Sequence, residues 1–554
     1  MLGRISSYGQ QDQRVKYYNR YKIVEPYFQD DWHITSRLTV NLGLRLSLFG
    51  TYREKQKQAF NFDPAHYQAG VTTVNADGTV NNLFINGLPN GIVQCGVTPG
   101  VPVSCMDGKL FNPAPRIGFA YDVNGDGKTA IRGGYGIFYE HANGNEGNTE
   151  SLENSPPLAN ASVVNNINGY AGTGTVGAQF PLSVNAIPTK AIWPYIQQWH
   201  LDVQREVVRN TVATVSYVGS KGTKLNRQTN YNQIPALPLS LNPYAPGEFI
   251  DSDPTSPTFN TDCDNLMVNG NPVTGQAAVN LGVQCGVDPS PFRPFLGYGD
   301  ITHLQYAASS TYHAAQFSVR RTMGSLNLSV AYTYSHSIDD SSDRFDGSFV
   351  DSANPSANRA SSNFDQRHIL NVSYVWDLPG FKSGLTNAIL GGWQFSGVTS
   401  YSTGTPYSVV VSNDNAGVSN GVGSGARPDL VGDPRSGIPS GTITDFGPAF
   451  GNAAAFALPR GLTFGDAGRN ILNNPNRLNF DWALFKHFKI REQMGFEFRA
   501  EAFNVFNHTQ WGNIAGDSGS AGGDGNNTLG SDGFLRASSA HNARIMQLGL
   551  KFSF

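Results

Sequence analysis

The sequence predicts an all-β protein: an antiparallel transmembrane β-barrel of about 13–14 strands, with long loops at one end. Three observations point there. Apolar residues recur at every second position over strand-length stretches, the period of a sheet with one apolar face. Connections alternate between a few residues and several tens of residues, as where tight turns close one end of a membrane barrel and long loops the other. Only 15% of the 554 residues are charged, with 62 glycines and 11% aromatics, against about 25% charged in an ordinary soluble domain. Yet no run of about 20 apolar residues offers a transmembrane helix.

The first strand is expected near 21–33. The next, over 37–49, sets Leu38, Val40, Leu42, Leu44, Leu46 and Leu48 on one face, and mainly Arg37, Thr39, Asn41, Arg45 and Ser47 on the other. Less regular strands follow near 113–123, 129–140, 195–208, 211–219, 311–322, 326–335, 367–377, 391–403 and 478–488. Residues 493–503 oppose Met494, Phe496, Phe498, Ala500 and Ala502 to Gln493, Glu497, Arg499 and Glu501. The last strand alternates Met546, Leu548, Leu550, Phe552 and Phe554 with Gln547, Gly549, Lys551 and Ser553. Short turns fall near 34–36, 124–128, 209–210, 323–325, 378–390 and 489–492; long loops rich in Gly, Asn, Ser and Pro fall near 50–112, 141–194, 220–310, 336–366, 404–477 and 507–543.

Lipid offers no hydrogen-bond partner, so every strand must be paired and the sheet closed. Leu42, Leu44 and Phe498 are then expected against acyl chains, and Arg45, Glu497 and Arg499 in a wet or plugged lumen, since a dry core rejects unpaired charge. Trp32, Trp199, Trp376 and Trp482 are expected in interfacial girdles. Bacterial barrels have an even strand number with both ends periplasmic. The count therefore implies at least one further upstream strand, unless residues 3–8 supply part of it. On this basis 21–554 is the C-terminal portion of a larger barrel, and 1–20 a remnant of the preceding strand and loop. Nothing in the first twenty residues has the apolar core or cleavage site of a secretory signal.

Few constellations suggest chemistry. Asp122, Asn124, Asp126 and Gly127 match the opening of an EF-hand loop, but position twelve is Gly133 and a hairpin turn is favoured. Asp339, Asp340, Asp343 and Asp346, followed by Asp351 and with Arg344 among them, are candidate ligand contacts in a long loop, against the plainer alternative of a solvated loop. Cys95 with Cys105 and Cys263 with Cys285 are expected to form disulfides, each inside one loop, in oxidising surroundings. VQCGVTP (93–99) recurs as VQCGVDP (283–289), and NLFING (82–87) as NLMVNG (265–270), suggesting two related loop modules. The histidines share no metal-ligand spacing, and no nucleophile elbow, phosphate loop or dinucleotide fingerprint occurs. No enzyme, cofactor or metal site is expected. A formal charge of −3 argues against nucleic acid as a partner.

The chain resembles the C-terminal barrel of TonB-dependent outer-membrane receptors of the Oar-like type. The resemblance lies in EPYFQDDWHITSRLTVNLGLRL (25–46), PAPRIGFAYDVNGDGKTAIRGGYGIFYE (113–140), QQWHLDVQREV with VSYVGSKGTKL (197–225), YTYSHSIDD (332–340), NFDQRHILNVSYVWDLP (363–379), GGWQFSGV (391–398), FRAEAFNVFNHTQW (498–511) and the terminal KFSF. It implies a parent barrel of about 22 strands, preceded by a signal peptide, a carboxypeptidase-regulatory-like domain and a plug; none of these is read in this chain. It further implies outer-membrane lipid as surroundings, extracellular long loops, a periplasmic C-terminus, and passage of a large, unspecified ligand. Contact with the TonB system would run only through a plug outside this sequence. Phe554 resembles the signal read by the barrel-assembly machinery. A surface-binding, adhesin-like protein without transport is the alternative, and a soluble carbohydrate-binding β protein a more distant one.

Overall fold

The structure is a computed structural model. It describes residues 4–11, 16–75, 78–141, 161–168, 181–250, 262–344, 351–380, 389, 391–419, 426–443, 445–489, 494–515 and 525–554. Thirteen strands follow one another across a single antiparallel sheet: β1 Tyr27–Thr35, β2 Leu38–Phe49, β3 Phe111–Asp122, β4 Thr129–Tyr139, β5 Tyr195–Val208, β6 Thr211–Asn230, β7 Tyr298–Arg321, β8 Leu326–Asp339, β9 His368–Asp377, β10 Trp393–Ser402, β11 Arg477–Lys489, β12 Gly495–Phe503 and β13 Ile545–Ser553. Ile23–Val24 continues β1 against β2 beyond Pro26, which lacks the N–H a ladder needs. Among the described residues β1 and β13 each pair on one side only, so the sheet is an open wall.

The cross-strand register carries one alternation through the whole wall. Leu44 stands opposite Phe28 and Pro115, Leu42 opposite Ile117, and Val215 between Val203 and Phe317. Further along, Trp376 opposes Phe395, and Phe498 opposes Leu550. This face stays bare: Leu44 is 43% exposed, Val215 56%, Leu550 69% and Leu548 75%. Aromatic rings knit it together, with Phe395 against Tyr374 at 5.5 Å and Trp482 at 5.6 Å, and Phe496 against Phe552 at 4.9 Å. Gly219 lets Trp199 lie flat on its neighbour strand, because a Cβ there would collide with the indole. The opposite face carries Arg45, Arg132, Asp202, Arg320, Asp481, Glu497 and Arg499. Leu42, Leu44 and Phe498 thus share one face, and Arg45, Glu497 and Arg499 the other. Trp32 and Trp376 lie near the short-turn ends of their strands and Trp199 near the loop end of β5, but Trp482 sits in the middle of β11 and packs against Phe506 at 5.2 Å.

The short turns behave as their sequences dictate. After β3, Asp122 accepts the Gly125 and Gly127 amides, both at 2.9 Å, and Asp126 accepts that of Lys128 at 3.0 Å. That segment is a hairpin turn whose carboxylates are spent on its own backbone. Arg4–Gln11 pairs with Ala161–Asn168 as a ribbon of its own and adds no strand to the wall.

The core of the molecule lies above the wall, in the loops. One cluster joins Phe49, Val93, Cys95, Cys105, Ile187, Trp193 and Tyr306, and a second Phe62, Leu83, Val184, Tyr298 and Ile301. A third joins Tyr407, Val409, Leu472, Ile514 and Leu535, and a fourth Leu237, Tyr244, Leu281 and Leu462. β6 and β7 run up into this layer, where Leu182–Ala186 lies parallel to β7. The strands expected at 211–219 and 311–322 are therefore extended by the segments 220–230 and 298–310, which the sequence suggested as loop. Most of their side chains are buried or half-buried against the loop layer, with Lys221 and Ala307 exposed, so they need no apolar–polar alternation.

A membrane-crossing strand takes about 9–11 residues, so in a barrel the part of β7 next to the short turn is expected to cross the bilayer and 298–310 to lie beyond it. His303, only 7% exposed, lies there stacked on Tyr231 with ring centroids 3.8 Å apart, and its Nε2 meets the Tyr231 hydroxyl at 2.9 Å. Burial pushes its pKa down to about 3 and that of Tyr231 up to about 12. The folded chain thus keeps His303 neutral while an unfolded loop layer protonates it near about 6.5. Its contribution is full above about 6.5 and is lost progressively as pH falls toward 3, on the order of 2 kcal/mol by pH 5. Protease protection of the loops is expected to fall between pH 7 and pH 5, and to fall less in His303→Gln. Equal pH profiles would contradict this.

Candidate functional site

Two features can meet a ligand: the charged face of the wall and the loop layer above it. The charged face is concave. Asn41, Arg116, Arg132, Gln198 and His200 line one hollow of about 480 Å³ on β2–β5, and Arg320, Ser373, Val398, Asp481 and Glu501 line another of about 480 Å³ on β7–β12. Charges on this face are mostly matched sideways: Arg45 with Glu25 at 3.6 Å, His487 with Glu497 at 3.4 Å, and Arg499 with the same Glu497. Such pairs in contact with water contribute little stability. Their effect is to keep the wall hydrated.

The loop layer is joined to the wall by a buried polar hub. Asp339, at the end of β8 and 1% exposed, accepts from Arg469 Nη1 at 2.7 Å. The same guanidinium donates to the Asn358 carbonyl at 3.2 Å, Ser342 Oγ at 2.6 Å and Asn363 Oδ1 at 2.9 Å. Arg427 donates to Asn358 Oδ1, and Asn470 Nδ2 to Asn363 Oδ1 at 2.7 Å. Asp340 takes the Ser309 amide at 2.8 Å and Arg227 at 3.2 Å. Asp365 closes the other end, accepting the Ser337 amide at 2.8 Å and Arg367 Nε at 2.9 Å.

The acidic run therefore divides. Asp339 and Asp340 are neither solvated nor open to a ligand; their carboxylates are consumed by Arg469 and Arg227, because buried charge must be paired. Asp343 is exposed on the following turn, where its carbonyl accepts from Ser341 at 2.6 Å. Asp346 lies outside the described residues. Arg469, Asn358 and Asn363 were missed. The one signal available was that two acids end a strand and so require cations, which does not say which cation answers. Among the described residues no three His, Cys, Asp or Glu side chains gather as for a metal ion.

Cys95 and Cys105 are bonded with Cα atoms 4.8 Å apart, and Cys263 and Cys285 with Cα atoms 5.4 Å apart. The sequence echo between the modules holds only in part. Phe84–Pro89 and Met267–Pro272 are matching hairpins that turn on Asn86-Gly87 and Asn269-Gly270, all with positive φ. Beyond them the modules diverge: Val93 and Gln94 end a short strand, whereas Val283 and Gln284 end the helix Gly275–Gln284. Cys95 is sealed in the first loop cluster and Cys285 is only half-buried. Each loop closure contributes on the order of 3 kcal/mol to local order. Peptide mapping under graded reductant is expected to release Cys263–Cys285 first. Crossed pairs, or earlier release of Cys95–Cys105, would contradict this.

The family model described as "Outer membrane beta barrel domain" matches residues 1–547. The chain belongs to that family. No curated protein matches the sequence. Among solved structures, this barrel domain is similar to the outer membrane transporter YddB from Escherichia coli, with a TM-score of 0.40 and 9% identity over 96% of this chain and 54% of that one. It is also similar to the siderophore receptor PirA from Acinetobacter baumannii, at 0.40 and 10% over 96% and 46%. A third is the pyoverdine receptor FpvA from Pseudomonas aeruginosa PAO1, at 0.38 and 10% over 97% and 42%. The barrel domain spans about half the length, or less, of these structures.

Proposed function

We propose that the chain is the wall and outer loop layer of a TonB-dependent receptor of the Oar-like type, through which a large ligand enters the cell. The observation that carries this reading is the pairing of a charged, concave wall face with a loop layer that has hydrophobic cores and disulfides of its own. A passive channel needs only the first. A rigid loop layer is what selective capture requires, because recognition loops work when a scaffold holds them. On this reading the loops face outward, the short turns and Phe554 face the periplasm, and the edges of β1 and β13 are completed by further strands of a larger barrel, since unpaired edges are costly in lipid. Phe554, 92% exposed beyond β13, is free to be read by the barrel-assembly machinery. Energised passage further requires a plug in contact with the TonB system, and the chain alone is expected not to perform it.

The test is accumulation of labelled ferric siderophores, oligosaccharides and peptides by cells producing the complete receptor, with and without a protonophore. Accumulation of at least one solute that stops when the gradient collapses supports the reading. Solute or surface binding that is gradient-independent and leads to no accumulation favours the adhesin-like alternative.

A further inference from the structure

At their loop ends β8 and β9 are joined through a bulge. Tyr334 pairs with His368, and Ile338 and Asp339 pair with Ser361 and Ala360, so 335–337 face the longer stretch 362–367. Surplus residues in one strand re-aim its side chains. Asn363 turns inward to the hub, where its Oδ1 accepts from Arg469 at 2.9 Å and from Asn470 at 2.7 Å. Phe364 turns outward and is 60% exposed.

A ring of three side chains fixes this bulge to β8. His336 Nδ1 lies 3.0 Å from Asp365 Oδ2, Arg367 Nε donates to the same oxygen at 2.9 Å, and Arg367 Nη2 lies 3.1 Å from His336 Nε2. A guanidinium has no acceptor, so Nε2 must hold a lone pair and Nδ1 the proton given to Asp365. The ring therefore closes only around a neutral imidazole. A proton taken from solvent at Nε2 would set one N–H against another and two cations against one carboxylate oxygen. Asp365 Oδ1 offers no relief, since it already accepts the Ser337 amide at 2.8 Å. Arg367 is the cation that can leave, because its side chain is 41% exposed and the imidazolium keeps its bond to Asp365.

The other ionisable groups around the ring are not built this way. His313 stands opposite His336 on β7, and His368 opposite Tyr334 on β9. Their Nδ1 atoms meet the hydroxyls of Tyr217 and Tyr332 at 2.8 Å, and a hydroxyl can serve a neutral or a charged ring. Asp339 and Asp340 are held by Arg469 and Arg227, and Arg359 donates to Ser309 Oγ at 3.2 Å.

We propose that the ring is a proton-operated latch on the loop layer: protonation of His336 at Nε2 expels the Arg367 guanidinium, and the loosened bulge withdraws Asn363 from the hub. The latch depends on neither transport nor the identity of a ligand.

The test is hydrogen exchange of the complete receptor in mild detergent, resolved by segment and corrected for the intrinsic effect of pH on exchange. Opening of 360–367 is expected to rise about tenfold between about pH 7.5 and about pH 5.5, the loss of one charged hydrogen bond. His336→Gln, neutral throughout, should not respond to pH, and His336→Lys should exchange fast already at the higher pH. Should His336→Gln loosen the bulge by itself, Arg367→Gln decides: without the guanidinium an imidazolium only tightens on Asp365, so the rise should vanish. An unchanged 360–367 in the wild type, a rise confined to the His303 segment 298–310, or the wild-type rise in Arg367→Gln would overturn the proposal.

Discussion

Arg469→Ala is expected to release the loop layer from the wall at a cost of about 3–5 kcal/mol. The guanidinium is wholly buried against Asp339 and is shared among Asn358, Ser342 and Asn363. Truncation leaves the Asp339 carboxylate buried without its cation, and two asparagines lose a donor. The wall should survive, because only the last rung of one ladder, Asp339 opposite Ser310, touches this hub. The measurement is limited proteolysis of 340–367 and 403–476 alongside β-sheet circular dichroism. Faster cleavage with unchanged sheet signal is expected. Removing both charges in Arg469→Met/Asp339→Leu should be less damaging than Arg469→Ala, since breaking a buried pair costs more than replacing it. If the double variant is the worse of the two, the hub does not act as an ion pair.

The second large effect concerns the wall. Leu44→Arg is expected to impair membrane assembly, whereas Arg45→Leu, one residue away, should be mild. Leu44 lies mid-strand between Phe28 and Pro115 on the bare apolar face, and a cation at the midplane of that face costs about 2–4 kcal/mol. Arg45 lies on the polar face, 3.6 Å from Glu25, and its removal leaves a carboxylate with access to water. Folded fractions in outer membranes, read by heat-modifiable gel mobility, distinguish the two. Equal assembly of both variants would mean that the faces are wrongly assigned.

The wall was legible in the sequence because lipid imposes a period of two wherever it touches protein. Leu38–Phe49 and Ile545–Ser553 show that period without interruption, and their strands fall within a residue or two of the expected bounds. The upper parts of β6 and β7 were not legible. Lys221 to Asn230 is polar at almost every position, as suits a segment that rises into the loop layer. The hub was hidden for a different reason: Asp339 and Arg469 are 130 residues apart and meet only through the fold of two long loops. The disulfide echo misled in part, because VQCGV serves a strand end in one loop and a helix end in the other. Trp482 illustrates a further limit, for alternation gives the face of a side chain but not its height on the wall.

The central claim is that one face of this wall meets lipid and the other meets water. Spin labels placed singly at Val215, Phe317 and Leu550, and at the neighbouring positions Ser216, Ser318 and Lys551, test it in the complete protein in its native membrane. Relaxation by dissolved oxygen should dominate at the first three and relaxation by a water-soluble nickel complex at the second three. Accessibility that fails to alternate along the strands, or that alternates with the opposite phase, would contradict it.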